Sequence, residues 1–454
     1  MTKTHLCLYL AMLLLLTFQT AVFGEEIVLD IDKAVEMARQ NNLGLQSEQI
    51  SLKMKKRTRD TVWNYFLPVL GASANLSRSN QAPEGFSMLF NGVSIQAPAS
   101  PHTWNVSFGF NATLTITSQL YFGIRKTFLD YEAGLISLAT AEKRLVLDVK
   151  KSFYNLILLE KNIELMRQNI ATAQRRYEQA KTNYENGQVS EYAMLSAQVA
   201  LENLKPGLEE MIIGYKSAIN AFKQLLGIDR KTDVKIQGSI STEEQTYDKE
   251  ELIRRYIENR LDIQSLLANI KSLDNLKKIT LSGMLPSLTF MYLMDPTFQK
   301  DPFRDPWFAD PANDWKQRAG MFGITLNVPL NGLIPNSREQ IQLADSEDSI
   351  RKARIGLAQA RQGAELEIES LVMKLDKSVQ STKTLNLNVG LAQRAYDLAE
   401  KAYNAGTREL LEVQNAELEL QKARLEVLKE DYNYTTGLLD LEYAINTTLK
   451  EAGE

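Results

Sequence analysis

The chain repeats itself. The stretch Tyr177 to Leu201, YEQAKTNYENGQVSEYAMLSAQVAL, returns as Tyr396 to Leu420, YDLAEKAYNAGTRELLEVQNAELEL, at a constant offset of 219. Tyr177 falls on Tyr396, Tyr184 on Tyr403, Gly187 on Gly406, Ala197 on Ala416 and Leu201 on Leu420. Upstream segments match at an offset of 218: ARQNNLGLQ from Ala38 with YIENRLDIQ from Tyr256, and FLPVL around Pro68 with MLPSL around Pro286. A repeat this long makes the fold two related halves rather than the three ordinary domains that 454 residues would fill.

The repeated stretch predicts a helical hairpin. Leu156, Leu159, Ile163, Met166, Ile170, Ala173, Tyr177, Ala180 and Tyr184 step by threes and fours, and after Gly187 the ladder resumes from Met194 to Leu225. This is the stripe of two long helices packed as a coiled coil. Gly187 stands where a left-handed helix stop is expected, and Ser190 is placed to cap the next helix. A helix over 124–184 would be roughly 90 Å long. Pro206-Gly207 predicts an interruption or kink in the return helix. Taken alone, either copy also fits a plain strut.

Each half reads short helix, Leu-Pro, strand, loop, strand, long hairpin. The first repeat covers residues 25–227, with strands at 69–79 and 104–118 and a hairpin at 124–227. Residues 228–247 read as a polar, irregular linker. The second repeat covers 248–447, with strands at 286–294 and 320–330 and a hairpin at 337–445, before a short tail at 448–454. Residues 31–66 read as helix, and 80–101 as a loop rich in Pro, Gly and Ser.

The strand from Trp104 is the most regular. Trp104, Val106, Phe108, Phe110, Ala112, Leu114 and Ile116 fall on one face, and Asn105, Ser107, Gly109, Asn111, Thr113 and Thr115 on the other. Strict alternation of this length fits a tilted outer-membrane strand, the alternative being a half-buried strand of a soluble sheet. Trp104, Phe108, Phe110, Tyr121 and Phe122 then fit an interfacial girdle.

Residues 1–24 read as a secretory signal: Lys3, an apolar core from Leu6 to Leu16, and a cleavage site at Val22-Phe23-Gly24. An uncleaved anchor is the alternative. Cys7, the one cysteine, lies inside this segment, so the mature chain has no disulfide. No other stretch is long and apolar enough for a transmembrane helix; any membrane insertion is by strands. The net charge of −4, without a basic run, argues against nucleic acid.

No enzyme motif is visible: no Gly-rich phosphate loop, no Ser-His-Asp set and no His-x-x-Glu. His102 is the one histidine beyond the signal. Asp-Pro pairs at Asp295, Asp301, Asp305 and Asp310 lack calcium-loop spacing and read as a turn-rich loop. No cofactor or metal is expected. Four strands cannot close a barrel, since the smallest have about eight, and an open edge cannot face lipid. Such a chain oligomerises: two copies give about eight strands, three about twelve, and only the larger ring leaves a pore.

At this point the chain resembles the TolC-like outer-membrane efflux proteins. The resemblance spans the mature chain and rests most specifically on the tips NYENGQVSEYAML and AYNAGTRELLEVQNA and on the PL-x-G turn at Pro329–Gly332. It implies a mostly α fold with a membrane β-barrel: a homotrimer in outer-membrane lipid, whose barrel of about twelve strands continues into a barrel of long helices. It implies the exit duct of a tripartite efflux or type I secretion system, working with a periplasmic adaptor and an inner-membrane pump. A trimeric surface stalk without a pore is the alternative. The resemblance places adaptor docking at Gly187, Gln188, Val189, Ser190, Gly406, Thr407 and Arg408. It places a periplasmic gate at Tyr403, Arg408, Glu412 and Asn415. Asn415 departs from the acid of the family pattern. Ala193 departs likewise, which leaves Arg408 expected to reach Glu191 or Glu409. By the same resemblance, the loops at 80–101 and 295–315 face the cell exterior.

Overall fold

The structure is a computed structural model that describes residues 27–81, 86–90, 93–97, 103–240, 245–298 and 300–449. The segment 1–24 read as a secretory signal, His102 and the last five residues of the tail lie outside the described residues.

Strand β1 (Ile27–Leu29) leads into helices α1 (Ile31–Asn41) and α2 (Leu43–Asp60). Strands β2 (Val69–Arg78), β3 (Phe86–Phe90), β4 (Val93–Ala97) and β5 (Trp104–Ile116) follow. The first hairpin is α3 (Ser118–Glu185) and α4 (Glu191–Leu226). After β6 (Val234–Ile236) come α5 (Lys249–Tyr256), α6 (Leu261–Ser282), β7 (Ser287–Met294) and β8 (Thr297–Phe298). Then α7 (Pro311–Asp314), β9 (Trp315–Lys316) and β10 (Met321–Asn327) precede the second hairpin, α8 (Arg338–Asn404) and α9 (Leu410–Ile445).

Several sequence expectations are corrected. The helix read over 31–66 breaks at Asn42, whose extended backbone frees its side chain to accept from Leu45 N–H and to donate to the Leu225 carbonyl. The residue 218 later, Arg260, breaks the second copy in the same way. The loop read at 80–101 contains β3 paired with β4, Phe90 opposite Val93. Its sequence signal was Asn91-Gly92 between two five-residue runs, a two-residue hairpin signature. The linker read as irregular contributes β6, which pairs in parallel with β1. Three residues show too little alternation to be read: Ile236 is buried while Lys235 is exposed. The return helix is not interrupted at Pro206, which sits on its exposed side.

The chain divides into two units. The first comprises Met1–Ser51, Ile136–Ser265 and Ala358–Glu454. Its two cores are copies of each other at 219: Val149 and Ile368, Phe153 and Val372, Leu156 and Leu375, Phe222 and Leu441, Leu226 and Ile445 are all buried. Volume is exchanged between layers. Where the hairpin supplies Phe153 and Phe222, the short helix supplies Ala34 and Ala38; where it supplies Val372 and Leu441, the short helix supplies Leu252 and Tyr256. Close packing demands such compensation. Each fully buried Leu, Ile or Phe is worth about 1.5–3 kcal/mol.

The second unit comprises Leu52–Leu135 and Leu266–Leu357. It holds an antiparallel sheet in the order β2-β5-β7-β10, with β8 continuing the β7 side of β5 and β9 paired to β8. Cross-strand partners share a face, so the register assigns both faces. One is apolar: Leu76, Ala74 and Ala72 lie opposite Val106, Phe108 and Phe110, Phe290 lies opposite Leu114, and Phe322, Ile324 and Leu326 lie opposite Tyr292, Phe290 and Leu288. The other is mostly small and polar: Ser73 and Asn75 beside Gly109 and Ser107, and Thr325 beside Thr289, whose hydroxyl lies 3.2 Å from that of Thr115. Among the described residues β2 and β10 each pair on one side only. Their apolar side chains Leu70, Phe322, Ile324 and Leu326 are exposed. Trp104 and Phe108 are not free members of a girdle, because aromatic residues of the 295–316 segment pack on them. Among the described residues, no helix is long and apolar enough to cross a membrane, and no acidic, His or Cys group is arranged to hold a metal ion.

Candidate functional site

Both hairpin tips are closed by the same backbone device. Gly187 N–H donates to the Tyr184 carbonyl (2.8 Å) and Gln188 N–H to that of Asn183 (2.8 Å). In the second copy Gly406 N–H donates to Tyr403 (2.9 Å) and Thr407 N–H to Ala402 (2.9 Å). These are Schellman motifs, which require a left-handed residue after the helix; both glycines have φ of +70°. A Cβ added at either meets nothing within 4 Å. Glycine is therefore needed for conformation and not for space.

The two tips diverge after the glycine. Ser190 caps α4 by accepting from Ala193 N–H. Its counterpart Glu409 makes no side-chain cap. Instead Arg408 forms a two-pronged bond to both carboxylate oxygens of Glu412, each 2.9 Å. This corrects the expected reach of Arg408 to Glu191 or Glu409. The reason is local: the extended N-cap Glu409 turns the chain so that Arg408, just before α9, lies against the first turn of the helix, where Glu412 stands in place of the first copy's Ala193. Both side chains are exposed, so the pair adds about 0.2–1 kcal/mol.

Tyr403 lies inside a tip cluster and is half-buried against Ala180, Ala197 and Leu410, beside Tyr177. The structure thus brings Tyr403 to the first hairpin and brings Arg408 to Glu412. Asn415 stays exposed and joins neither; it lines a groove of about 200 Å³ with Ala173, Ala197, Leu204, Gln414 and Leu418. Gln188 and Val189 complete the first turn, with the exposed Thr407 and Arg408 opposite them in the repeat.

One link went unread in the sequence. Arg176 of the first hairpin forms an ion pair with Glu417 of the second and donates to the Tyr396 hydroxyl at 3.0 Å. That hydroxyl donates in turn to Glu400 at 3.1 Å. The Arg176 and Glu417 side chains are 12% and 16% exposed. Burial pushes the Glu417 carboxyl above the usual range, and Arg176 pulls it partly back. The positions one repeat away hold Ala395 and Gln198, so the link occurs in one sense only. That asymmetry between copies was its sole signal in the sequence.

A family model described as outer membrane efflux protein matches residues 34–227 and 252–447, one match for each half. The chain belongs to the outer membrane efflux protein family. Solved channels share its fold. A structure of CusC is 16% identical, with a TM-score of 0.72 over 91% of this chain and 91% of that one. The Campylobacter jejuni CmeC outer membrane channel is 16% identical, with a TM-score of 0.73 over 91% of this chain and 85% of that one. The outer membrane protein VceC from Vibrio cholerae is 16% identical, with a TM-score of 0.71 over 92% of this chain and 96% of that one. None of the curated proteins matches. As a member of the outer membrane efflux protein family, the chain is an outer-membrane channel. Nothing in these comparisons supports a stalk without a pore.

Proposed function

We propose that three copies of this chain form one efflux duct, the exit of a tripartite or type I secretion assembly, and that it catalyses no reaction. The observation that carries this is the two-faced sheet with both edges unpaired among the described residues. Lipid tolerates no such edge. Pairing β10 of one copy with β2 of the next closes a barrel of about twelve strands, with Ser, Asn and Thr on the water side. Purified protein in detergent is expected to have the mass of three chains and to give discrete conductance steps in a planar bilayer. A stable folded monomer would overturn the reading.

The tips are proposed to dock a periplasmic adaptor, which links the duct to an inner-membrane pump, through Gly187, Gln188, Val189, Ser190, Gly406 and Thr407. Gly406→Trp carries about 1–2 kcal/mol of left-handed strain and fills open space on the docking face. Normal trimer yield with lost export is expected, while Gly406→Asn, which tolerates that conformation, keeps most export. Normal export from the tryptophan variant would remove this assignment.

The gate is proposed at Tyr403, Arg408, Glu412 and Asn415. Because Arg408 neutralises Glu412, three copies of the pair form a throat ring of nearly zero net charge. Arg408→Ser is then expected to move the reversal potential under a salt gradient toward cation selectivity, and Glu412→Gln to move it toward anions. Shifts of the same sign in both variants would place the constriction elsewhere.

A further inference from the structure

The segment between β7 and β10 does not stand away from the sheet. Its ends β8 and β9 extend the sheet beside β5, and the residues between them pack on Trp104 and Phe108 of the apolar face, which is the lipid-facing one in the reading above, on which this inference rests. Val106 lies opposite Phe298, and Phe298 opposite Trp315. These three residues are buried together, with Trp307 stacked on Phe298 at 5.9 Å. The indole donors are used internally: Trp307 Nε1 donates to the Pro302 carbonyl (2.9 Å), and Trp315 Nε1 to that of Trp307 (2.6 Å). Two Asp-Pro aspartates and Asp314 close the turns. Asp301 accepts from Phe303 N–H, Asp305 from Asp301 N–H and Asp314 from Asp310 N–H, while Lys300 pairs with the buried Asp314. The result is a small prebuilt lobe.

Its outer side carries two phenylalanines. Phe303 is 74% exposed yet held edge-on to Trp104 at 5.4 Å. Phe308 is 72% exposed yet stacked on Trp315 at 6.0 Å and 17°. Each ring has one side fixed and the other presented, at the end of an apolar surface that already faces lipid. Beside them Arg304, 4.0 Å from the Asp301 carboxylate, keeps its side chain 88% exposed. We propose that this lobe is a membrane-interface anchor: Phe303 and Phe308 enter the outer leaflet at the boundary between headgroup and acyl chain, and Arg304 meets headgroup phosphate. Phenylalanine side chains bury at that boundary in interfacial anchors while basic residues stay on the polar side, and the lobe is continuous with the sheet face read as lipid-facing.

The test uses nitroxide labels on the assembled protein in phosphatidylethanolamine–phosphatidylglycerol vesicles. Cysteines replace Phe303, Phe308, Phe322 on the apolar sheet face, and Tyr192 at the exposed hairpin tip. Power saturation compares collision with oxygen, which partitions into lipid, and with a nickel chelate, which stays in water. Labels at Phe303 and Phe308 are expected to favour oxygen as Phe322 does, and the label at Tyr192 to favour nickel. Labels at 303 and 308 that behave like 192, with 322 still in lipid, overturn the anchor alone. Labels at 303 and 308 shielded from both reagents point to a covering protein chain and also overturn it. A label at 322 in water overturns the reading beneath. Should Phe308→Cys assemble poorly, Phe308→Trp keeps the stack. Its fluorescence is expected to be quenched by brominated lipid to a greater extent than in the parent, and equal quenching refutes the anchor.

Discussion

Arg176→Met is expected to loosen the packing of the two hairpin tips by about 3–5 kcal/mol, the cost of stranding one member of a buried ion pair. The variant leaves Glu417 mostly buried, with Glu400 and Gln421 as its remaining polar neighbours. The pH dependence has a definite sign. The folded Glu417 carboxyl already lies above its ordinary value because burial disfavours its charge. Such a group contributes stability that is present in acid and lost as pH rises through its folded value. Without Arg176 that value climbs further, so the variant is weakest at neutral pH and recovers on acidification. Replacing both partners, Arg176→Met with Glu417→Leu, removes the stranded charge and is expected to restore most of the loss. Limited proteolysis at the tips, followed across pH, measures this. A cleavage rate in Arg176→Met that does not fall in acid would show that the pair carries no such weight. In the proposed duct the same loosening frees the second hairpin from the first, so leak is expected to rise with the cleavage rate.

The repeat made the fold legible because its physics is periodic. Heptad ladders, Leu-Pro starts and a 13-residue strand repeat a signal over many residues. The parts that escaped are short or non-local. β6 has three residues. The ion pair joins positions 241 apart and breaks the symmetry by which the halves were aligned. Glycine at each tip could be read because a helix stop demands it. The partner of Arg408 differs from the one the family pattern implies because the extended N-cap Glu409 sets Arg408 against the first turn of α9, where Glu412 stands. The lobe beside β5 is hidden in the sequence for a related reason. Asp-Pro turns read as solvated loop, and only the register shows that they fold the tryptophans back onto Val106.

The assignment of sheet faces gives the second large effect. Ile324 and Thr325 are neighbours on β10, both exposed in the single chain, and their side chains leave opposite faces of the sheet. If the apolar face meets lipid, Ile324→Arg places a charge in hydrocarbon at about 2–4 kcal/mol per copy near the midplane, and a trimer bears this three times. Thr325→Arg instead points into water and is expected to cost little stability. The proposed three-chain assembly, read as its mass in detergent, should therefore be lost for Ile324→Arg and kept for Thr325→Arg. The Thr325→Arg channel should conduct less and discriminate against cations, since three guanidinium groups then line the bore. The contrast is diagnostic because the two substitutions share a strand, a charge and an exposure, and differ only in the face from which the side chain leaves. A trimer that survives Ile324→Arg and fails with Thr325→Arg would turn the sheet inside out, and with it the direction in which the aromatic lobe faces.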